Sequence, residues 1–520
     1  MTENQPLSVQ QNLTIRLLRV LRYNKARIER AITLLPDRNK PLFHLLPFLV
    51  HVNHELLPGY IAPSSTNDTV PFGINNYSFR PDIQKSFLDC FPQHRDLISD
   101  IKKIWPRQRA IESLVLMGSV GTIAQTEHSD FDYWLCINTK QFSEQAINLL
   151  QEKLNAIEAW ADEHFGVEVH FFLSDIEKVK QNDFGVAEGE SAGSAQSLFL
   201  KAEFYTTNIV VAGKAPFWWL TPEKTAEKQY TAILNSLERG GSPDADWFMD
   251  LGNLERMDAS ELFGAAIWQL GKAMDSPFKS VLKMAKLEVY LANIENGTPL
   301  CNLLKKRVHQ GSEAPGFIAD IDPYALMFDE LIEHYKEYGQ PEDILVLQQC
   351  LYLKCQCPLS QPLFEGERPN FKRKIIASYA RKWGWNKKTL HHLDNIQDWN
   401  FHERVQLSRR IHRFLLKCYR RISGELNHHK QVMDEKDMTV LGRRLSTFYG
   451  KKADKVEFLR RAFDESLYCE TVTISMKLLK NGDEIWTAYA GDLLSKSGII
   501  EKSQKITQAS DAISLMVWCV

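Results

Sequence analysis

The chain has 520 residues, a length typical of roughly two to four domains rather than of one. Hydrophobic residues make up 44% of the sequence and charged residues 25%, with 12 tryptophans, which excludes a disordered chain and is typical of a folded, soluble protein. The formal net charge of −2 excludes a global positive field that would attract nucleic acid or a membrane surface.

The N-terminus, MTENQPLSVQ, lacks the charged and then apolar pattern of a secretory signal peptide. No apolar run approaches the roughly 20 residues that a membrane-spanning helix needs. The nine cysteines are scattered, and no two clusters have the spacing of a zinc site. These features predict a cytoplasmic protein without a membrane span.

Apolar residues at helical spacing predict helices over residues 8–57 and again over about 82–103. Between them, a Pro-Gly pair and the segment PSSTND break the pattern and predict a loop over about 58–80. We therefore expect a helical N-terminal region over residues 1–104.

The pattern then changes to that of a small α/β unit, which we expect over residues 105–221. IESLVLM (111–117), FDYWLCI (131–137) and VEVHFFL (167–173) have the composition of strands. A long amphipathic helix that ends at Gly166 separates the last two of them.

Beyond the α/β unit, the sequence predicts a helical domain and a C-terminal region. A stretch rich in glycine and serine over 184–197 predicts a mobile segment, and residues 222–430 predict a helical domain. Further on, TVTISMKLL and EIWTAYAG flank Asn481-Gly482, which predicts a β-hairpin. We expect residues 431–520 to begin a C-terminal α+β regulatory region.

Ser510 is predicted to cap a helix over the apolar segment DAISLMVWCV, which has no C-terminal cap. Our hypothesis is that the 520 residues are the front part of a longer polypeptide. An encoded stop codon directly after Val520 would contradict it.

The candidate chemistry lies in MGSVGTIAQTEHSDFDYWLCI, residues 117–137. Gly118 closes the first strand, and a residue without Cβ lets backbone approach a phosphate closely. Ser119 follows with a hydroxyl and a backbone N–H, groups that bind anions at turns and helix starts. The sequence GxxxxGK[ST] is absent, which excludes a Walker-type loop.

Asp130 and Asp132 lie two residues apart at the head of a strand, so both carboxylates are predicted on one face. Trp134 shares that face, while Phe131 and Tyr133 point into a core. Two such carboxylates repel each other unless a cation lies between them. Mg²⁺ prefers a few carboxylates together with substrate phosphate oxygens. The alternative, a turn glycine followed by two capping acids, is disfavoured by the strand context.

A third carboxylate is expected from a neighbouring strand. Glu168, flanked by two valines, is the candidate, and Asp175 just past that strand is the reserve. The alternative for Glu168 is a surface acid on an edge strand. Two ions held about 3.5–4 Å apart by such acids support an in-line phosphoryl displacement.

Gly-Ser, then Asp-x-Asp on a strand, then an acid on a later strand is an order that resembles the nucleotidyltransferase core of the DNA polymerase β superfamily. The resemblance implies an α+β fold, in which a short mixed sheet with helices is embedded in a largely α-helical protein. It also implies metal-dependent transfer from a nucleoside triphosphate, without naming the acceptor.

The segment ELFGAAIWQLGKAMDSPFKSVLKMAKLE (261–288) resembles the signature of class I bacterial adenylate cyclases. The match is carried by Glu261, Phe263, Gly264, Trp268, Leu270, Ser276, Pro277, Phe278 and Lys279. Other similar segments are LLPGYI, MGSVGTIAQTEHSDFDYWLC, GVEVHFFLSD, AEFYTTNIVVAGK, DPYALM and KWGWN. The resemblance runs from about residue 10 to at least residue 430, and family members are longer.

This family resemblance implies conversion of ATP to cyclic AMP and pyrophosphate, with two Mg²⁺ ions or Mn²⁺ in their place. The ribose 3′-OH of the substrate would attack, so no second substrate site is required. Asp130, Asp132 and Glu168 would hold the metal, which lowers the pKa of that hydroxyl, and Glu168 or water would take its proton. Gly118 and Ser119 would cradle phosphate oxygens.

Three further residues are predicted to contact the nucleotide: Lys214 and Lys279 the triphosphate, and Trp134 the base or ribose. The open alternatives are a surface lysine at a strand end for Lys214 and a core residue for Trp134. For Lys279, as for Lys272 and Lys283, the alternative is a lysine that faces water.

Members of this family can carry a lysine in the V-P-x-G loop and another just before the first core strand. Phe72 and Pro106 occupy these places here, and Arg107 and Arg109 are the candidates to replace the second lysine.

Two other functions remain open: a nucleotidyltransferase with a separate acceptor, and a non-catalytic nucleotide-binding regulator. No RNA-binding module is evident, so no nucleic-acid partner is expected. The presence of both Asp130 and Asp132 argues against a non-catalytic protein. The resemblance also implies regulation by the sugar phosphotransferase system through the C-terminal region. The oligomeric state is not predicted.

Overall fold

The computed structural model describes residues 9–63, 69–184, 197–255, 259–293, 298–310, 321–363, 366, 368–426, 471–492 and 505–519. The chain forms two compact units, each assembled from separate parts of the sequence. Unit 1 comprises Met1–Leu262, Ala292–Glu330 and Glu365–Ser378, and unit 2 comprises Phe263–Leu291, Leu331–Phe364 and Tyr379–Val520. These limits do not follow the predicted domains, whose boundaries stay predictions.

Helices predominate in the described residues. They are α1 (Val9–Leu34), α2 (Lys40–His51), α3 (Pro81–Cys90), α4 (Arg95–Ser99), α5 (Glu144–Phe165), α6 (Ile176–Lys180), α7 (Ser197–Thr207), α8 (Glu227–Glu238), α9 (Ala259–Lys272), α10 (Pro277–Ala292), α11 (Leu300–Gln310), α12 (Pro323–Tyr338), α13 (Pro341–Cys355), α14 (Phe371–Lys382), α15 (Lys387–Asp394), α16 (Phe401–Leu426) and α17 (Ala512–Cys519). Among them, none is both long enough and apolar enough to cross a membrane. Residues 185–196 of the predicted mobile segment (184–197) lie outside the described residues.

A four-stranded mixed sheet in unit 1 has the strand order β3-β2-β1-β4. The strands are β1 (Ile111–Met117), β2 (Phe131–Ile137), β3 (Val169–Asp175) and β4 (Ile209–Gly213). Strand β1 is antiparallel to both β2 and β4, whereas β2 and β3 are parallel and are connected through α5. A separate parallel pair consists of β5 (Ala215–Pro216) and β6 (Phe248–Met249). The expected α+β fold with a small mixed sheet is therefore confirmed.

Helix α5 ends where the sequence predicts, but it begins at Glu144 rather than at Gln141. The Ser143 side chain accepts a hydrogen bond from the Ala146 N–H and caps the first turn, and Gly166 ends the helix in a left-handed conformation. The next strand begins at Val169, two residues later than predicted. Glu168 consequently lies just outside it.

Both faces of the four-stranded sheet are buried, in two separate cores. One face contributes Leu116, Tyr133 and Phe171 to a core with residues of α2, α3 and α5. The other face contributes Val115 and Trp134 to a core with residues of α1, α7 and α11. The alternation predicted for β2 is confirmed, because Tyr133 belongs to the first core and Trp134 to the second. Asp132 is on the face of Trp134, opposite the first core.

Buried charges connect the helices of unit 2. Glu288 of α10 accepts a hydrogen bond from the Tyr335 hydroxyl at 2.8 Å and pairs with Arg421 of α16. Asp343 of α13 pairs with Lys417 of α16 at 2.5 Å. Because charges removed from water are costly unless paired, these contacts hold α16 in one position against its neighbours.

Near the C-terminus, β7 (Val472–Leu478), β8 (Glu484–Ala490) and β9 (Lys505–Ala509) form a three-stranded antiparallel sheet. The hairpin predicted around Asn481-Gly482 is confirmed, whereas the sequence did not predict strand β9. The predicted cap at Ser510 is wrong, because Asp511 accepts the Ser514 N–H at 2.8 Å and caps α17.

Lys153 of α5 is only 1% exposed. Its Nζ donates hydrogen bonds to the carbonyl oxygens of Val52 at 2.7 Å and Gly59 at 3.0 Å. Burial disfavours the charged ammonium and lowers the pKa of Lys153 to about 7. Above pH 7, up to the ordinary lysine pKa, the unfolded chain therefore binds more protons than the folded chain, and stability rises with pH.

Raising the pH from 7 to 9 is expected to stabilise the protein by about 2 kcal/mol more than it stabilises a Lys153→Met variant. The free energy of urea unfolding, measured for both proteins at the two pH values, gives this difference. Lys140→Met, which removes an exposed lysine, is the matched control and should respond as the unsubstituted protein does. An equal response from Lys153→Met would contradict the assignment.

Candidate functional site

The connection between β1 and β2, residues 118–130, is here named the acid loop. Gly118 opens it with φ +98°, a conformation that L side chains rarely adopt. A Cβ built on Gly118 would lie 3.9 Å from the Asp132 Oδ2 atom. The absence of a side chain thus leaves open the space beside that carboxylate, and phosphate contact at Gly118 stays a prediction.

Hydrogen bonds close the acid loop at both ends. The Ser119 and Ser129 hydroxyls are 3.0 Å apart and bonded to each other, and Ser129 Oγ also accepts the Thr126 N–H at 2.9 Å. The Gly118 N–H donates to Thr207 Oγ1 at 3.1 Å. The structure therefore brings Gly118 and Ser119 next to Asp130 and Asp132, here named the acid pair. The Gly118 N–H is bonded to Thr207.

Asp130 is exposed and Asp132 half-buried at the head of β2. In the sheet, Asp132 lies opposite Met117 of β1 and opposite His170 of β3. Asp130 lies one residue before β2, so the common face of the two carboxylates stays a prediction.

Glu168 lies beside this pair, since its carbonyl accepts the Phe131 N–H at 2.9 Å. Its side chain is 67% exposed rather than buried in a strand, and its Oε1 accepts a hydrogen bond from His170 Nε2 at 2.8 Å. Partial burial lowers the pKa of His170, but the bond to Glu168 and the charge of Asp132 outweigh it and raise that pKa above its ordinary value. Sequence reasoning missed His170.

Asp175, the reserve carboxylate, lies at the other end of β3, opposite Ile137. Its side chain caps α6 by accepting the Lys178 N–H at 2.8 Å, and it also accepts the Thr139 N–H at 3.0 Å. Burial alone would raise the pKa of Asp175, but these hydrogen bonds lower it. The structure brings Glu168, and not Asp175, to the acid pair.

Trp134 is 4% exposed, and its ring stacks on Phe204 of α7 with centroids 4.4 Å apart. Trp134 therefore packs as a core residue, which is the alternative that the sequence left open. Contact with a base or ribose stays a prediction.

Lys214 is not brought to the acid pair. Its Nζ pairs with Glu112 Oε2 at 2.7 Å, at the start of β1. Glu112 and Gly118 are six residues apart on one strand, which corresponds to about 20 Å. The V-P-x-G loop lies at the same distant end, since the Ile111 N–H donates to the Gly73 carbonyl at 2.9 Å. Phe72 and Pro106, the departures from the family pattern, are at that end too.

Lys279 lies in α10, in unit 2, and is half-buried, as are Lys272 and Lys283. Lys272 has its Nζ 5.1 Å from the centre of the Trp268 ring. The predicted triphosphate contact of Lys279 stays a prediction.

A buried arginine anchors the acid loop. Arg27 of α1 is 1% exposed, and its guanidinium donates to the carbonyl oxygens of Gly121 at 2.9 Å, Val120 at 3.0 Å and Thr207 at 3.1 Å. Gly121 has φ +69°, and a Cβ there would come within 2.7 Å of the Arg27 carbonyl oxygen. Loop and helix therefore approach too closely for any other residue at position 121.

Three more side chains hold the same loop. Gln125 accepts the Gly121 N–H at 2.7 Å, and Asp322, which is 2% exposed, accepts the Ile123 N–H at 2.9 Å. Lys372 of α14 donates to the Gln125 carbonyl at 2.5 Å. Gln125 and Asp322 lie in the family-like segments MGSVGTIAQTEHSDFDYWLC and DPYALM, whereas Lys372 had no signal in the sequence. The loop is thus preorganised by its own Gln125 and by Arg27, Asp322 and Lys372, which lie far from it in the chain.

The fit of a divalent cation depends on the donors at the acid pair. In the part of the chain that the structure describes, no three His, Cys, Asp or Glu side chains group closely enough to hold a metal ion on their own. Two carboxylates beside an open glycine nevertheless suit Mg²⁺, which completes its shell with water and substrate phosphates rather than with a full protein cage. Asp130 and Asp132 therefore fit a nucleotide-bound ion better than a resident one.

Comparison with known proteins gives two matches to family models. Residues 12–219 match the adenylate cyclase NT domain, and residues 257–460 match the second domain of class-I adenylate cyclases. No solved structure matches.

Among characterised relatives, the chain is 31% identical over 437 residues to adenylate cyclases of Salmonella typhimurium and Escherichia coli K12, which covers 83% of this chain and 49% of each relative. It is 30% identical over 461 residues to that of Yersinia intermedia, covering 86% of this chain and 51% of the relative. The chain spans about half the length of these relatives. It belongs to the class-I adenylate cyclase family.

Proposed function

We propose that this chain converts ATP into 3′,5′-cyclic AMP and pyrophosphate at the acid pair. The observation that carries the proposal is the position of Asp132 at the head of β2 beside Gly118, two residues after Asp130, in a chain of the class-I adenylate cyclase family. The same order of elements, a mixed sheet with Gly-Ser after one strand and Asp-x-Asp on the next, supports a polymerase β-like core.

In this mechanism the acid loop binds the triphosphate, with phosphate oxygens in the space that Gly118 leaves open beside Asp132. Asp130 and Asp132 would hold Mg²⁺, two ions in our proposal, with Mn²⁺ as the replacement. When bound, the metal would supply a lowered pKa of the ribose 3′-OH and neutralise charge on the triphosphate. Glu168, exposed and next to Asp132, accepts the proton of that hydroxyl, either directly or through water.

Incubation of the protein with ATP and Mg²⁺ alone tests the proposal. We expect cyclic AMP and pyrophosphate in equal amounts, because the substrate supplies its own nucleophile. ATP turnover that begins only when an RNA, protein or small-molecule acceptor is added would instead support a nucleotidyltransferase. Binding of ATP without any product would support a non-catalytic regulator.

Glu168→Gln is expected to lower kcat about 100-fold, since a positioned general base typically contributes 10²–10⁴-fold. Asp175→Asn, the matched change at the other end of β3, is expected to lower the melting temperature through its lost cap and to leave kcat per folded molecule within about 2-fold. Initial rates at saturating ATP and Mg²⁺ measure both variants. The reverse ranking would make Asp175 the third carboxylate.

Regulation by the sugar phosphotransferase system stays a prediction. Much of the region expected to carry it, including residues 431–470 and 493–504, lies outside the described residues.

A further inference from the structure

The Glu261 carboxylate lies at the N-terminal end of α7, although Glu261 belongs to the first turn of α9. Its Oε2 accepts the N–H groups of Leu198 at 2.7 Å and Phe199 at 3.1 Å, and its Oε1 accepts the Ser197 hydroxyl at 3.2 Å. The residue is 8% exposed. The first N–H groups of a helix lack partners within the helix and favour a negative charge, so Glu261 caps α7 from more than 60 residues away.

The other end of α7 meets the acid loop. Thr207 Oγ1 accepts the Gly118 N–H at 3.1 Å, and the Thr207 carbonyl accepts Arg27 at 3.1 Å. Eleven helical residues span about 16 Å as one stiff element. A displacement at Glu261 is therefore transmitted to Gly118.

The side of α7 meets the strand that carries the acids. Phe204 stacks on Trp134 with an interplanar angle of 22°. Trp134 follows Asp132 on the same face of β2. Helix α7 consequently supports both the phosphate-facing glycine and the acid pair.

We infer that Glu261 is a positioning residue for the reaction, which fixes α7 so that Gly118 and Asp132 keep their separation. This inference rests on the proposed function. It gives the Glu-x-Phe-Gly start of the 261–288 segment a role through α7 rather than through contact with the nucleotide. A cap that only stabilised the fold would change the amount of active protein and leave the KM for ATP unaltered.

The test compares the full chain with Glu261→Gln, which keeps the side-chain size but directs an amide N–H₂ at the donors of α7. We expect the KM for MgATP to rise about 10-fold and kcat per folded molecule to fall less than about 3-fold, because the loop contacts phosphates before and during reaction. Glu255→Gln removes an exposed acid close in sequence and is the matched control. An unchanged KM would overturn the inference.

Thr207→Val, which removes the hydroxyl bonded to Gly118, completes a double-mutant cycle. If both residues act on the same glycine, the double variant loses no more kcat/KM than about the larger single loss. Thr207→Ser keeps the hydroxyl and should restore the KM. Fully additive losses would overturn the inference.

Hydrogen exchange of the Gly118 amide tests the connection without any turnover. We expect exchange to accelerate about 10-fold in Glu261→Gln, with far-UV circular dichroism unchanged. Unchanged exchange overturns the inference even if the chain makes cyclic AMP. Accelerated exchange in a chain that makes none supports the connection and refutes only the proposed function.

Discussion

Asp132→Asn is expected to lower cyclic AMP formation by about 10³-fold or more, the loss typical when a fixed charge is removed from the reacting centre. Asparagine keeps the shape of the side chain beside Gly118, so the strand and the acid loop should fold as before. The charge is the only large difference. The measurement is cyclic AMP formed per folded molecule at saturating ATP and Mg²⁺, with the melting temperature determined in parallel.

Glu127→Gln is the matched control for this experiment, because Glu127 is an exposed acid of the same loop that does not share the strand face of Asp132. It should retain activity within about 2-fold, as surface substitutions usually do. A full rate in Asp132→Asn would show that the acid pair is not the active site, whatever the family of the chain.

Arg27→Met is expected to destabilise the protein by about 4 kcal/mol and to abolish most of its activity. The substitution leaves the carbonyl oxygens of Val120, Gly121 and Thr207 buried without this donor, and each such group costs about 1–3 kcal/mol. It also removes the partner of the Tyr23 hydroxyl, 3.0 Å from Arg27 Nη1. Urea unfolding and cyclic AMP formation measure the two effects.

Arg22→Met changes an exposed arginine of the same helix and should stay within about 0.5 kcal/mol of the unsubstituted protein. Arg27→Lys is expected to recover only part of the loss, because one ammonium cannot reproduce the planar set of guanidinium donors. Normal stability of Arg27→Met would mean that the loop does not depend on this anchor.

Local sequence rules predicted the strands and the acid face well. Alternation of apolar residues in FDYWLCI was sufficient to assign Tyr133 to a core and Asp132 to the opposite face. Gly166 was sufficient to predict where α5 ends, whereas the cap at Ser143 was not recognised. These features depend on neighbours in the chain, which the sequence shows directly.

Features that depend on distant residues were not predictable in the same way. Arg27 continues the helical spacing of the buried Val20 and Tyr23, whereas exposed Arg22 does not. The spacing does not show, however, which distant carbonyl oxygens the Arg27 guanidinium contacts. Glu168 follows the pattern of a buried strand, yet its strand begins one residue later. Lys214 follows a strand like a ligand-binding lysine, but the antiparallel pairing of β4 carries it to the far end of the sheet.

The contact between Lys372 and the acid loop has a consequence for the order of events during synthesis. Gln125 and Lys372 are separated by 247 residues. At about 5–20 residues per second, a ribosome needs roughly 12–50 s to add the second after the first. Throughout that interval the nascent loop lacks its contact with Lys372. We therefore expect the growing chain to form no cyclic AMP from ATP until α14 has been made.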